Sequence, residues 1–172
     1  MKNLGRFFLT LAVTIWLGPV LIAAPVPTRF SFSGTQWGDS VDTVQERLRT
    51  SGLAFESKLE VTTCQLRSRC SVKFSGQLTG DAVFADKGLV EIMIYTSGTA
   101  GLERLDKLIE KYGQPLPSKP NAKTPGSFGS TDLTKHWVSA DGESLFYDGG
   151  YIRYSSAIAN AERRARNREV SF

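Results

Sequence analysis

Apolar and polar positions over residues 37–48 follow a helical period. Val41, Val44 and Leu48 stand at i, i+3 and i+7, one stripe on a short helix. Asp39 or Ser40 is placed to cap it, and Asp42 and Glu46 put negative charge toward its positive end. Gly52 follows as a C-terminal stop. Trp37, just before the cap, is expected to pack against the helix, the alternative being a ring that faces a ligand. Upstream, Phe30-Ser31-Phe32 alternates, as a short strand or as the approach to the helix.

The period then changes to two. Residues 53–56 form a weak strand, 70–74 a clearer one, and 81–85 a third. Asp86-Lys87-Gly88 is a hairpin signal leading into residues 89–95, the most hydrophobic strand. There Val90, Ile92 and Ile94 are read as one face, with Glu91 the only charge on the other. This strand is expected at the centre of the sheet.

A second helix opens near Thr99. Leu102, Leu105 and Ile109 share a face with Leu108 beside it, and Gly113 closes it. Leu102, Leu105, Ile109 and Gly113 match Val41, Val44, Leu48 and Gly52 at a constant offset of 61 residues, which points to a duplicated unit. Residues 114–130 are rich in Pro, Lys, Gly and Ser and read as a loop. Gly126-x-x-Gly129 within it lacks the strand and the Lys of a phosphate loop. Three strands follow, over 133–139, 143–147 and 151–155, separated by the turns Ala140-Asp141-Gly142 and Asp148-Gly149-Gly150. Leu145 pairs with Tyr147 on one face, and Ile152 with Tyr154.

The expected fold is therefore α+β. Two tandem units, about 30–96 and 97–156, each set one short helix before antiparallel strands. Together they make a largely antiparallel sheet with helices on one face of a single domain over 25–156. Of 172 residues, about 148 remain once a leader is removed, enough for one real core.

That leader is residues 1–24. Lys2 and Arg6 precede an apolar run of about 18 residues, broken by Gly18-Pro19 and closed by Ala23-Ala24. The pattern is that of a secretory signal peptide cleaved near Ala23 or Ala24, giving a periplasmic or secreted protein. An uncleaved membrane anchor is the alternative, since the run sits at the lower edge of spanning length. No Cys follows it, which excludes a lipid-modified N-terminal Cys.

Charge adds little to the body. The net +4 arises from the leader and from Arg163, Arg164, Arg166 and Arg168 in a basic tail over 157–172, while residues 25–155 sum to zero. Nucleic-acid binding is set aside on that ground. The tail, which is Ala- and Arg-rich, reads either as a helix or as a solvated end. Any membrane contact is confined to the signal segment, or runs weakly through this tail.

Export changes the meaning of the two cysteines. Cys64 and Cys70 are expected to form a disulfide across a short polar loop. It would stabilise the fold by about 2 kcal/mol on the chain-entropy model. Zinc would need about four ligands, and His136 is the only histidine.

No cofactor is implied. A triad built on His136 has no nucleophile elbow near it, and Asp39, Asp42, Asp141 and Glu143 read as caps and turns. Trp137, Phe146 and Tyr151 add to an aromatic-rich end with Tyr147 and Tyr154, and Trp137, Tyr147, Tyr151 and Tyr154 are its candidate partner-binding residues. They read as core or, in the sharper reading, as the surface that binds a partner.

The order helix, strands, helix, strands, opening on Trp-Gly-Asp-Ser-Val-Asp-Thr-Val-Gln-Glu-Arg-Leu (residues 37–48), resembles a group of small bacterial envelope proteins. Their units start on Trp-Gly or Gly-Met and a capped helix, followed by a small antiparallel sheet. The SmpA/OmlA type of outer-membrane-assembly lipoprotein is similar to one such unit, and the beta-lactamase-inhibitor protein to two in tandem. The expected function is an exported, non-catalytic binding or accessory protein of the cell envelope that recognises another envelope protein through a sheet face or edge. The alternative is a small periplasmic hydrolase using carboxylates or His136.

Overall fold

The computed structural model of the chain describes residues 29–86, 88–96, 98–117 and 134–169. The leader and the Gly126-x-x-Gly129 segment lie outside them. In chain order the elements are α1 (Val41–Thr50), β1 (Leu53–Phe55), α2 (Lys58–Leu66), β2 (Arg69–Gly76), β3 (Gly80–Ala85) and β4 (Gly88–Tyr95). After them come α3 (Gly98–Tyr112), β5 (Lys135–Val138), β6 (Ser144–Tyr147), β7 (Tyr151–Ser155) and α4 (Ala157–Glu169). The class is α+β, as the periodicities predict.

All seven strands form one antiparallel sheet in the order β1-β2-β3-β4-β7-β6-β5. The expected central strand, β4, does lie in the middle, and it pairs with β7 through Ile92↔Tyr154 and Ile94↔Ile152. The last strands of the two expected units therefore meet at the centre.

Residues opposite one another across an antiparallel pair share a face. The register chain Val72↔Ala82↔Ile92↔Tyr154↔Leu145↔Trp137 runs across the core face from β2 to β5. Beside it lie Phe74, Ile94, Ile152 and Tyr147. Against this face pack the α1 stripe of Val41, Val44 and Leu48, Cys64 of α2, and Leu105, Leu108 and Tyr112 of α3. Ser40 caps α1, its Oγ accepting from the Thr43 N–H at 3.2 Å. Residues 30–32 form no strand. Phe30 packs edge-on against Tyr112 with ring centroids 5.0 Å apart, and Phe32 lies over Phe74 and Tyr154.

Five details depart from the sequence expectations. The first is the register between the helices. Leu102 is 51% exposed, and the buried stripe of α3 is Leu105, Leu108 and Tyr112. It matches Val41, Val44 and Leu48 at an offset of 64, because α3 is longer than α1 and begins earlier on its face. The second is α2, over residues that the sequence reading left unassigned between its first two strands. Its apolar stripe is thin, since Cys64 is its one buried residue, so periodicity does not mark it. The Cys64–Cys70 bridge is present, and it ties the last turn of α2 to β2 with Cα atoms 5.3 Å apart. The third lies at the start of β4. A bulge opposite Val83 and Phe84 makes Val90 the extra residue, so Leu89 joins Ile92 and Ile94 on the core face.

The fourth is the end of the chain. Residues 157–169 form a helix, and α4 packs on β4 and β7 from the face opposite α1, α2 and α3. The helices on one face are thus those three, with α4 alone across the sheet. The fifth concerns the aromatic end. Trp137 (2% exposed), Tyr147 and Tyr154 are buried in the core, which contradicts the exposure a partner-binding role requires. The alternation of β5, β6 and β7 sends their side chains inward, where the Trp137 Nε1–H donates to the Gly113 carbonyl at 2.8 Å. Of the four candidates, only Tyr151 lies on the other face.

Candidate functional site

The second face of the sheet divides into a covered and an open half. The row Ser71↔Val83↔Glu91↔Ser155↔Ser144↔Val138 runs alongside α4. Glu91, Ser155 and Ser144 of this row bond to that helix. Arg163 pairs with the buried Glu91, which also accepts from Ser155 Oγ at 3.1 Å. Asn160 accepts from Ser144 Oγ at 3.0 Å and donates to the Gly142 carbonyl at 2.9 Å. These groups satisfy each other, and their arrangement is that of a clamp holding α4 down.

The next row is Lys73↔Asp81↔Met93↔Arg153↔Phe146↔His136, with Tyr95↔Tyr151 beside it. Here no helix among the described residues covers the sheet: Met93, Phe146, Tyr151 and Arg153 are half-buried, and Lys73, Tyr95 and His136 are exposed. The Arg153 guanidinium lies 5.0 Å from the Phe146 ring centroid and 5.8 Å from that of Tyr151. Phe146 contacts the Tyr151 ring at 5.9 Å and the His136 ring at 6.3 Å. Arg153 Nε is buried and has no hydrogen-bond partner. An orphaned buried N–H of this kind carries a cost of about 1–3 kcal/mol, more when charged.

Electrostatics follow from the same cluster. His136 is held below its ordinary proton affinity, first by partial desolvation against the sheet, then by repulsion from Arg153 and Arg164. Its ring contacts Phe146, and no Ser, Thr, Asp or Glu side chain is bonded to it among the described residues. The Tyr95 hydroxyl is pushed up to about 12 by donating to the Asp81 carboxylate.

The sequence-named carboxylates serve other purposes. Asp39 accepts from the Gln36 N–H at 2.7 Å and pairs with Arg47. Asp42 accepts from Gln65 at 2.9 Å. Glu143 is buried and reaches beyond its turn to hold the Phe30 N–H at 2.9 Å.

A concavity of about 300 Å³ lies on the covered side, lined by Trp37, Gly88, Val90, Ser156 and Ile158 among others. It explains the opening motif. The Gly38 N–H donates to the Leu89 carbonyl at 2.9 Å, the Leu89 N–H donates to the Asp39 carbonyl at 2.8 Å, and a Cβ on Gly88 would come 3.0 Å from Gly38 Cα. Gly38 itself has φ +86°, a conformation that favours glycine. Trp37 is partly buried against the core cluster and also lines this cleft, and its Nε1 is buried without a partner. Asp86 is the one carboxylate lining this cleft.

Sequence reasoning placed Phe146 in the aromatic-rich end but not among the candidate contact residues, and it missed Arg153. The signal was available: once Leu145, Tyr147, Ile152 and Tyr154 are assigned inward, alternation forces Phe146, Tyr151 and Arg153 onto one shared outer face. Among the described residues no group of three His, Cys, Asp or Glu is placed to hold a metal ion, and no helix is long and apolar enough to cross a membrane. Comparison with known protein families, characterised proteins and solved structures finds no match to this chain.

Proposed function

We propose that the chain is an exported, non-catalytic binding protein of the cell envelope that docks another protein on the open half of its sheet. The observation that carries this reading is the Phe146–Arg153–Tyr151 stack on a strand row that α4 leaves uncovered. Aromatic and arginine side chains held rigid by their neighbours are the residue types that anchor protein interfaces. Export is supported by the leader and by the disulfide.

A face is favoured over an edge. The outer strand β1 is three residues long, and at the other edge the Leu116 N–H already bonds the His136 carbonyl of β5. Short and blocked edges are poor templates for strand addition. The hydrolase alternative draws no support from the geometry, because His136 faces a ring and the buried Glu91 and Glu143 are each committed to structural donors.

The test is site-specific photocrosslinking in producing cells. A photoreactive phenylalanine analogue is placed at Phe146 or Tyr151, with Leu66 on exposed α2 as control. One adduct of the same mass from both open-face positions, absent from Leu66, is the expected result. Adducts from Leu66 alone would overturn the assignment of the surface.

A further inference from the structure

Arg153 is unusual among the charges of this face in what surrounds it. Three acids lie near it, and all three are engaged. Glu91, one step diagonally along the sheet, is paired with Arg163 and Ser155. Asp81, two strands across, accepts from the Tyr95 hydroxyl. Asp148 accepts from the turn N–H groups of Gly150 and Tyr151 at 2.9 and 3.0 Å. The guanidinium is left with two aromatic contacts, a buried Nε without an acceptor, and no carboxylate among the described residues. Arg164 adds positive charge close enough to act on His136 beside it.

We infer that Arg153 is the specificity-determining residue of this surface and receives a carboxylate from an acidic, extended segment of the partner protein. The inference rests on the docking reading above and adds the chemistry of the ligand. A planar guanidinium fork matches a carboxylate in two parallel hydrogen bonds. Rings that hold the guanidinium in place reduce the rotamer freedom lost on binding. Phe146, Tyr151 and Met93 supply apolar walls for the residues flanking the acid. An anionic lipid surface is flat and would meet the projecting Arg164, Arg166 and Arg168 of α4 before an arginine lying in the plane of the sheet.

Selection of a random dodecapeptide phage library on the protein, with a parallel selection on R153Q, tests this. His136 is the only histidine, so its ring proton resonance titrates alone and reports both folding and local charge. The expected result is enrichment of peptides with Asp or Glu at one fixed position. Their dissociation constant should weaken at least tenfold on R153Q and several-fold on R153K, and the His136 midpoint should rise when they bind. Enriched peptides without an acidic position, competing at Tyr151, would overturn the carboxylate inference while leaving the docking surface standing. No enrichment at all would overturn both. Binding of phosphatidylglycerol vesicles lost on R153Q, with no acidic peptide enriched, would assign the site to lipid and overturn the choice of a protein partner.

Discussion

Arg163 offers a direct test of how α4 is held to the sheet. Its guanidinium, on a side chain 30% exposed, pairs with Glu91, which is 10% exposed. Replacing Arg163 by Met keeps the stem and removes the charge. Glu91 is then a buried carboxylate with Ser155 Oγ as its remaining donor. Removing one partner of a fully buried pair costs about 3–5 kcal/mol. Solvent reaching Arg163 screens part of that attraction, which brings the expected loss to about 2–3 kcal/mol. Neutralising the stranded acid should recover part of it, so E91Q/R163M is expected to be about 1–2 kcal/mol more stable than R163M alone. Urea unfolding of wild type, both single variants and the double variant gives this cycle. Amide exchange shows where the loss falls: α4 amides should exchange faster while β3 and β4 stay protected. A cost below about 0.5 kcal/mol for R163M, or simple additivity of the two changes, would refute the reasoning. The Asn160 bonds to Ser144 and Gly142 would then be what holds the helix.

The remaining predictions separate core from surface and local strain from packing. Trp137→Ala should cost about 3–5 kcal/mol in urea unfolding, whereas Tyr151→Ala should stay within about 1 kcal/mol, since only Trp137 is enclosed. His136 binds its proton less readily in the folded than in the unfolded chain. Between its lowered folded midpoint and the ordinary value near 6.5, the unfolded chain holds more protons, so the His136 contribution to stability rises with pH through that window and is level above it. The difference between wild type and H136Q, measured from pH 5 to 8, should show that rise, and R153Q should shrink it. Gly38→Ala should lower stability by about 1–2 kcal/mol through backbone strain alone, because φ is +86° and a Cβ would meet nothing within 4 Å. Thermal melts of G38A against wild type check it.

Several parts of the fold were legible in the residues. The α1 stripe, its Ser40 cap and the Gly52 stop act within a few residues of one another, so local periodicity captures them. The strands and their Asp-Gly and Gly-Gly turns are local in the same sense. The α2 helix was harder, because its single buried residue gives almost no period. Its signal lay in Ser57-x-x-Glu60, where Ser57 Oγ accepts from the Glu60 N–H at 3.2 Å. The Val90 bulge was not legible either, since it depends on the pairing partner of β4 and not on β4 itself.

The candidate surface shows the same division. Sequence placed aromatic residues in the last three strands and could not say which faced outward. Alternation fixes the relative parity of Trp137 and His136, or of Tyr154 and Arg153, but both faces of these strands carry rings. Tertiary packing decided the matter by burying Trp137, Tyr147 and Tyr154 under the helices.

The amino-acid sequence by itself determined the α+β class, the two helix-then-strand stretches and the cysteine pairing, because each arises from periods, caps and spacings of nearby residues. Only the tertiary structure decided that α4 crosses to the second face and covers half of it. That placement rests on Glu91 meeting Arg163, 72 residues away along the chain. A contact so distant leaves no local period, yet it is what sets α4 beside the Arg153 row and not over it.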